Sequence, residues 1–325
     1  MKKILNKVEN VVAEMLDGIV YSNNKVYKVD GYNVIARKES KDKVVLISGG
    51  GSGHEPAHAG FVGYGMLDAA VAGEVFTSPA VDQVYGAIEA VDKGKGVLLV
   101  IKNYTGDVMN FEMAAEMANA NGSNVKSVIV NDDIAVEDSL YTAGRRGVAG
   151  TVFVHKIAGS AAEDGKSLDE VVALAEKVVA NTKTLGMSLG GATVPASGKK
   201  SFELAEDEIE MGLGIHGEPG THKEKLNTAH EHVKYMLDLL LKESNIKDEK
   251  VAVLVNGLGS TTLMELYIVN KEVNDQLKLK GVKVHKSLVG NYMTSLEMPG
   301  FSITLLKLDD EMEKYLDYKI ESTLF

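Results

Sequence analysis

The sequence of 325 residues contains no cysteine, which excludes disulfides, thiolate nucleophiles and cysteine metal sites. No apolar run approaches the roughly 20 residues that a membrane-spanning helix needs, and the first ten residues lack the apolar core of a secretion signal. The net charge of −11 argues against nucleic acid or an anionic membrane surface as the main partner. We therefore expect a cytoplasmic protein that binds neither nucleic acid nor a membrane.

The signatures of phosphate binding are also missing, although Gly49–Pro56 form a glycine-rich stretch, GGGSGHEP. A P-loop needs a lysine after its last glycine, and here Gly53 is followed by His54. The same histidine replaces the third glycine of the dinucleotide motif and the last glycine of a nucleophile elbow. The stretch is therefore predicted to be a binding loop, after a buried strand, that does not hold a nucleotide.

One segment matches a zinc-binding motif in its residue types but not in the helical context that the motif requires. The run from His54 to His58 reads HEPAH and fits the pattern H-E-x-x-H, in which both histidines lie on one face of a continuous helix. Pro56 belongs in the first turn of a helix rather than its interior, so the two imidazoles need not converge. No obvious third ligand follows, and we predict no metal site.

What the sequence does contain is a repeated order of buried strand, polar loop and helix, which is typical of βαβ units. Around residues 184–200 the composition shifts to glycine, serine, threonine and alanine. We predict an α/β fold with two α/β domains, residues 1–185 and 186–325, each with a central, mainly parallel or mixed sheet flanked by helices. Strands are predicted at 44–47, 96–101, 125–130, 208–215, 251–255, 282–285 and 301–306, and a strand or a turn at 69–73.

Helices are predicted between these strands from apolar periodicity and capping residues. Ser78 is predicted to cap a helix that has Pro79 at its first position, and Ser260 or Thr261 to cap another. The predicted helical segments are 1–20, 78–90, one that ends near 119, 145–163, 167–183, 224–243 and the tail from 309.

Two groups of residues follow the strands of the first half. His54 lies in the glycine-rich stretch at a strand end, where open α/β sheets bind ligands, and its imidazole suits proton transfer. Lys102 and Asp107 follow the strand at 96–101, and the carboxylate is a candidate base for a hydroxyl. The alternatives are a histidine that braces a loop and an aspartate that caps a helix. His58 is interpreted as structural.

A second loop, Gly214–Gly220, repeats the pattern of a histidine among glycines followed by a Glu-Pro pair. Its His216 is a candidate base or a nucleophile toward a carbonyl. Arg145 and Arg146 are candidate phosphate anchors, with a surface or helix-packing role as the favoured alternative. The remaining histidines are interpreted as structural or solvated: His155, His222, His230, His232 and His285.

Taken in order, several blocks resemble those of the substrate-binding subunit of the dihydroxyacetone kinases, and they extend over nearly the whole chain. The glycine stretch and the His216 loop are two of these blocks. The others are 101–107 (IKNYTGD), 139–147 (SLYTAGRRG), 254–259 (LVNGLG) and 298–306 (MPGFSITLL).

The resemblance implies a covalent mode of substrate capture. In the family, the histidine that matches His216 adds to the ketone carbon of dihydroxyacetone and forms a hemiaminal. The residue that matches Asp107 is the base for the terminal hydroxyl, and the one that matches His54 assists the proton transfer and holds the substrate. Other positions that line the pocket match Gly51, Ser52, Gly53 and Lys102.

The resemblance also implies partners, since the sequence shows no loop or acidic cluster that would hold a nucleotide and magnesium. A separate subunit is expected to carry ADP and Mg²⁺, to be recharged by a phosphoryl carrier fed from phosphoenolpyruvate, and to yield dihydroxyacetone phosphate. This chain is expected to bind no cofactor and to form a homodimer. The donor system, the substrate range and the docking surface stay open.

Two alternatives to a kinase subunit remain. A non-catalytic relative would bind dihydroxyacetone in the same way and act as the co-activator of a transcription regulator. The aspartate at position 107 favours catalysis, because binding alone does not require a base. A lipid- or acyl-phosphate-binding protein of related architecture would leave the two histidines unexplained.

Overall fold

The computed structural model describes residues 2–137, 143–247 and 249–322. Within them the chain forms two six-stranded sheets, and none of its helices is long and apolar enough to span a membrane. The strands of the first sheet are β1 Val26–Lys28, β2 Val34–Arg37, β3 Val45–Ser52, β4 Ala69–Val75, β5 Val97–Lys102 and β6 Val125–Val130. The helices of this half are α1 Val11–Ser22, α2 Val81–Val91, α3 Thr105–Ala120, α4 Thr151–Glu163 and α5 Leu168–Ala180.

The second half begins directly after α5. Its strands are β7 Thr182–Ser188, β8 Glu208–Met211, β9 His222–Lys225, β10 Lys250–Gly257, β11 Lys283–Gly290 and β12 Gly300–Lys307. Its helices are α6 Ala229–Ser244, α7 Leu263–Leu279 and α8 Asp310–Leu316. Two short 3₁₀ helices lie at Val8–Asn10 and Ala59–Phe61.

Both sheets are mixed, which confirms the predicted fold class. The first has the order β1-β2-β4-β3-β5-β6. Strands β4, β3, β5 and β6 pair in parallel with their neighbours, whereas β2 is antiparallel to both β1 and β4. The second has the order β11-β10-β12-β7-β8-β9, and only β10 and β11 are parallel. Strands β3 and β5 are buried on both faces, which explains their continuous apolar runs.

The apolar core consists of layers, and one layer is shared by the two sheets. Alternate residues of a strand point to opposite faces, so Leu98 and Val100 of β5 pack on the same cluster as Ala252 and Leu254 of β10. Helices α1, α4, α5 and α8 contribute to this shared cluster. Helices α2 and α3 pack on the outer face of the first sheet, and α6 and α7 on that of the second.

The division into two domains stays a prediction. Strand β7 pairs with β12 along its whole length, from Thr182 opposite Leu306 to Ser188 opposite Gly300. The predicted boundary at residues 185 and 186 lies inside this strand, and the chain passes from one sheet to the other just before Thr182.

The first half of the glycine-rich stretch, residues 49–52, is a strand rather than a loop, so the prediction was wrong for these residues. Strand β3 continues through Ser52, because β4 pairs with it as far as Ser52 opposite Val75. Glycine is required here, since a Cβ on Gly51 would lie 2.6 Å from the backbone nitrogen of Thr77. A helix does not follow, and His58 lies in turns that lead to the short 3₁₀ helix at Ala59–Phe61.

Several predicted helix boundaries were also wrong. Helix α2 begins at Val81, with Ala80 at its N-cap position and no side-chain cap. The carbonyl of Pro79, before this cap, accepts a hydrogen bond from Asn110 of α3. Helix α4 begins at Thr151 rather than near residue 145. Thr262 caps α7, since only this residue forms a reciprocal pair with Glu265.

The β8–β9 hairpin was not predicted. Its second strand, β9, occupies residues that were predicted to begin a helix, and α6 starts only at Ala229, after a capping pair of Thr228 and Glu231. Strand β9 is largely exposed and rich in charge, so it carries no apolar period that would mark it. As a consequence, Gly214–Gly220 lie in a connection between antiparallel strands.

The shared layer gives a test of packing. A Cβ on Gly159 of α4 would lie 2.5 Å from the carbonyl oxygen of Met66, whereas one on Gly18 of α1 would have no neighbour within 4 Å. We expect Gly159→Ala to lower the free energy of unfolding by about 1–3 kcal/mol through overpacking. Gly18→Ala should raise it by about 0.5–1 kcal/mol, because alanine favours the helix. Urea unfolding of both variants checks this, and equal effects would contradict the packing.

Candidate active site

The imidazole of His54 connects the end of β3 with the second half of the chain. Its Nδ1 lies 2.8 Å from the carbonyl oxygen of Thr294, and since a carbonyl only accepts, Nδ1 carries the proton. Its Nε2 is buried and has no hydrogen-bond partner in the described structure. Burial lowers the pKa of His54 well below its ordinary value, and the charges of His216 and Lys102 act in the same direction. His54 is therefore neutral, with a free lone pair on Nε2.

His216 faces His54 from the loop between β8 and β9. The two ring centroids are 4.8 Å apart, with an angle of 69° between the planes. The Nδ1 atom of His216 lies 3.1 Å from Oε1 of Glu218, and its backbone N–H donates to Oε2 of the same carboxylate at 2.9 Å. This double contact fixes the imidazole through Nδ1 and leaves Nε2 available for chemistry.

Glu218 is the functional residue that sequence reasoning missed, although its place two residues after His216 was visible. Burial raises its pKa, but the hydrogen bond and charge of His216 and the charge of Arg146 outweigh burial and lower the pKa to about 2. A Cβ on Gly214 would lie 2.2 Å from Oε2 of Glu218 and 2.6 Å from Nη1 of Arg146. The glycine therefore lets the carboxylate and the guanidinium approach each other beneath the loop.

The favoured interpretation gave Arg146 a surface or helix-packing role. The structure shows instead that Arg146 is not part of a helix surface and that its side chain is fully buried. It donates through Nε to Asp133 at 2.8 Å and through Nη2 to the carbonyl of Gly212 at 2.8 Å. Arg145 forms an ion pair with Glu243 of α6 at 2.8 Å. Both arginines belong to the sequence block 139–147, and its first four residues, 139–142, lie outside the described residues.

Asp107 and Lys102 form a buried pair at the start of α3. Asp107 is the third residue of this helix rather than its cap, which is Tyr104. One carboxylate oxygen, Oδ2, lies 3.7 Å from Nζ of Lys102. The other, Oδ1, has no hydrogen-bond partner in the described structure although it is buried. An unpaired oxygen of this kind is available to a hydroxyl group of a ligand.

A cleft of about 540 Å³ brings the candidate groups of both halves together. A larger cleft of about 720 Å³ contains none of the candidate residues. Residues that line the smaller cleft include Gly51, Phe76, Tyr104, Asp107, His216 and Glu218.

Two aromatic rings enclose His216 in this cleft, and neither was singled out from the sequence. Its ring centroid lies 4.5 Å from that of Tyr104 and 5.4 Å from that of Phe76. Phe76 also stacks on His54, with centroids 5.2 Å apart. Burial raises the pKa of Tyr104 well above its ordinary value, so its phenol stays protonated.

Of the residues that the resemblance placed in the pocket lining, Gly51, Ser52 and Gly53, not all have polar groups that can still bind a ligand. The N–H of Gly53 donates to the carboxylate of Glu55 at 3.0 Å, and the hydroxyl of Ser52 donates to the carbonyl of Gly73 at 2.7 Å. Both groups are thus already engaged. Gly51 lines the cleft itself. Pairing of β3 with β5 ends at Ser48, which leaves the cleft side of the glycine segment uncovered by that strand.

Comparison with known proteins identifies the family of this chain. The family model of the Dak1 domain matches residues 17–324. The chain belongs to the Dak1 family. It is 57% identical to the dihydroxyacetone-binding subunit DhaK of the PTS-dependent dihydroxyacetone kinase 1 of Listeria innocua, over 98% of this chain and 97% of that protein.

Solved structures of relatives share the fold of this Dak1 chain. The dihydroxyacetone kinase operon co-activator DhaQ superposes with a TM-score of 0.92 at 39% identity, covering 98% of each chain. The dihydroxyacetone kinase of C. freundii superposes with a TM-score of 0.90 at 38% identity, covering 99% of this chain and 60% of that one. The similarity thus includes both a kinase and a co-activator.

The letter match to a zinc motif does not correspond to a shared site in this Dak1 chain. His54 bonds to Thr294, whereas Nε2 of His58 lies 3.0 Å from Nζ of Lys102. A cation in that position is incompatible with a metal ligand at the same nitrogen. Among the described residues, no three His, Cys, Asp or Glu side chains are arranged to hold a metal ion.

His155 of α4 is fully buried beside His58, with ring centroids 5.3 Å apart. Neither of its nitrogens has a hydrogen-bond partner in the described structure. Burial lowers its pKa to about 3, and the charge of Lys102 contributes in the same direction. The residue is therefore uncharged in the folded protein across the neutral and mildly acidic range.

This burial predicts a pH dependence of stability. An unfolded chain protonates His155 below about pH 6.5, whereas the folded chain does so only near pH 3. Stability is therefore fully present above pH 6.5 and is lost as the pH falls toward 3. In His155→Leu the free energy of unfolding should fall less steeply as the pH drops below 6.5. Its slope should be smaller than that of the native chain by about 1.4 kcal/mol per pH unit. Urea unfolding between pH 7.5 and 5 measures both slopes, and equal slopes would contradict the buried neutral imidazole.

Proposed function

We propose that this chain is the dihydroxyacetone-binding subunit of a dihydroxyacetone kinase. The observation that carries the proposal is the placement of His216, whose Nδ1 is bound by Glu218 while Asp107 lines the same cleft. The central carbonyl carbon of a three-carbon ketone can thus meet a nucleophile while a terminal hydroxyl faces a carboxylate. The high identity to a dihydroxyacetone-binding subunit of a kinase supports the same substrate.

The first step is the addition of His216 to the ketone. The lone pair of Nε2 attacks the carbonyl carbon, the C=O π electrons move to oxygen, and that oxygen takes one proton from solvent to give a hemiaminal. The imidazole gains a positive charge as the N–C bond forms. The carboxylate of Glu218, whose pKa is lowered to about 2, is ionised and compensates this charge.

A reversible covalent bond suits a small polar substrate. Dihydroxyacetone offers little apolar area, so its noncovalent affinity would be modest. The bond also excludes glycerol, which has hydroxyl groups but no carbonyl carbon. The substrate is thus selected by its reactive carbonyl group rather than by its shape.

The second step is the activation of a terminal hydroxyl by Asp107. Its unpaired Oδ1 accepts the hydroxyl proton as the oxygen attacks the phosphoryl group, whose bond to the ADP of the partner subunit breaks so that ADP stays behind as the leaving group. Lys102 lies 3.7 Å from the other carboxylate oxygen and compensates its charge. His54 holds the substrate as a hydrogen-bond acceptor, since its only proton is engaged by Thr294. The family resemblance implied that His54 both assists the proton transfer and holds the substrate, and only the holding role is kept in this proposal.

The phosphoryl group comes from another protein in this proposal. ADP and Mg²⁺ are assigned to a separate subunit, which is recharged by a phosphoryl carrier that draws on phosphoenolpyruvate. The name of the Listeria relative, a PTS-dependent kinase subunit, supports this source. The chain itself is proposed to bind no cofactor and to act as a homodimer.

The alternative is a co-activator that binds dihydroxyacetone without phosphorylating it. The TM-score of 0.92 to the co-activator DhaQ supports this second candidate. Retention of Asp107 with a free carboxylate oxygen favours the kinase. Mixing the chain with the nucleotide-carrying subunit, a phosphoryl source and dihydroxyacetone separates the two. Formation of dihydroxyacetone phosphate supports the kinase, whereas ketone binding without product would contradict it and favour the co-activator.

The nucleophile is tested by mass spectrometry of the intact chain after borate-free incubation with dihydroxyacetone. We expect an adduct in the native protein and none in His216→Ala, because the attacking nitrogen is absent. Glu218→Gln should lower adduct occupancy about tenfold or more, since the charge that balances the imidazolium is lost. An undiminished adduct in His216→Ala would mean that another residue is the nucleophile.

The base is tested separately. Asp107→Asn should keep the adduct, because His216 is untouched, and lower phosphoryl transfer about 10²–10⁴-fold. The measurement is initial-rate formation of dihydroxyacetone phosphate with the partner subunit in excess. Turnover near that of the native chain would reduce Asp107 to a residue that stabilises the first turn of α3.

A further inference from the structure

The ammonium of Lys102 is completely buried, and its three N–H groups have identifiable neighbours. The Nζ atom lies 3.1 Å from the carbonyl oxygen of Gly49, 3.0 Å from Nε2 of His58 and 3.7 Å from Oδ2 of Asp107. The first two distances are those of hydrogen bonds. One N–H therefore remains for the side on which Asp107 lies.

The contact with His58 requires an unprotonated Nε2, and Ser48 supplies the reason. The hydroxyl of Ser48 donates its only hydrogen to the carbonyl of Val100 at 2.7 Å. The same oxygen lies 3.3 Å from Nδ1 of His58, so it can only accept there, and Nδ1 carries the proton. Nε2 is left with a lone pair directed at Lys102. Burial lowers the pKa of His58 well below its ordinary value, with Lys102, His155 and His54 acting in the same direction.

The backbone of Gly50 lies directly against the ammonium. A Cβ on Gly50 would lie 2.3 Å from Nζ of Lys102 and 3.3 Å from Oδ2 of Asp107. Gly50 also has a φ of +151°, a conformation that favours glycine. The strand thus forms one wall of a site for a single positive charge.

The four charged and titratable groups around this ammonium come from three parts of the fold. They are Asp107 of α3, His155 of α4, and His54 and His58 of the segment after β3. The three imidazoles are neutral, since burial and Lys102 lower the pKa of each. The carboxylate of Asp107 is the anionic member of the group.

We propose that His58 is a positioning residue for the phosphoryl-acceptor end of the site: it orients Lys102 by accepting one of its hydrogen bonds, so that the ammonium faces Asp107. This inference rests on the proposed function, in which Asp107 is the base. A hydrogen bond to an ammonium stabilises its charged form. His58 thus keeps Lys102 protonated where burial alone lowers the pKa of the lysine.

Two amide substitutions separate the contacts of His58. In His58→Gln the side-chain oxygen can occupy the position of Nε2 and still accept from Lys102. In His58→Asn the shorter amide can reach only the position of Nδ1, next to Ser48. Both variants are polar and of similar size, so general damage to folding would affect them alike. His155→Leu serves as a control that removes a neighbouring buried imidazole without removing an acceptor.

The first measurement does not depend on activity. In protein labelled with ¹³C at the lysine ε carbon, Lys102 is assigned by the loss of its signal in Lys102→Met. His58→Asn should lower the titration midpoint of Lys102 by about one pH unit, which is the size expected for one hydrogen bond to a charged group. His58→Gln and His155→Leu should leave it near that of the native chain. An unchanged midpoint in His58→Asn would overturn the proposal.

Two further measurements complete the test. In the native chain, ¹⁵N shifts of His58 should show a protonated Nδ1 and a bare Nε2, and the opposite tautomer would overturn the proposal. In the kinase assay, the midpoint of the alkaline limb in the pH profile of kcat should move to lower pH by the same one pH unit in His58→Asn only. The KM should change little. A limb that stays in place while Lys102 titrates earlier would refute the link to Asp107. If the native chain forms no product at all, the proposed function fails, while the two NMR results still decide the hydrogen bond.

Discussion

The hydrogen bonds between Gly53–Glu55 and Thr294–Leu296 are the constraint on which the rest of the site depends. The backbone N–H of Leu296 donates to the carbonyl of Gly53 at 2.7 Å, and that of Thr294 to the carbonyl of His54 at 3.1 Å. The hydroxyl of Thr294 donates to the carbonyl of Glu55 at 2.8 Å. These bonds join the end of β3 to the loop before β12. They bring His54 against His216 and, through the carbonyl of Thr294, determine which nitrogen of His54 carries its proton.

Two acid–base pairs lie at this junction. Glu218 binds Nδ1 of His216, which leaves Nε2 for the proposed covalent capture, and Lys102 lies beside Asp107. In each pair a charge is held where burial opposes it, and the partner stabilises that charge. The imidazoles of His54, His58 and His155 remain neutral instead, because burial lowers the pKa of each. Proton positions in the site are therefore defined before a substrate enters.

The sequence was sufficient for the α/β class and for most strands. It also singled out His54, Asp107 and His216, because glycine-rich and polar runs directly after apolar strands are conspicuous. Asp107 and His216 line the cleft and His54 lies against His216, while the roles of all three stay predictions. It was misleading about β3, where five consecutive glycines and serines continue a strand only because β4 pairs with them, at a sequence separation of more than twenty residues. Glu218, Tyr104 and Phe76 were missed because their contacts with His216 depend on how the two sheets pack, which local periodicity does not encode.

In the proposed function Nε2 of His216 is the atom that bonds to the ketone carbon, and NMR can detect this bond. Protein with ¹⁵N-labelled histidine is mixed with dihydroxyacetone that carries ¹³C at the ketone carbon. We expect this carbon to become tetrahedral and to show a one-bond coupling to Nε2 of His216, while Nδ1 keeps its proton toward Glu218. A coupling to Nδ1, or a bound ketone whose carbon remains trigonal, would exclude capture through Nε2.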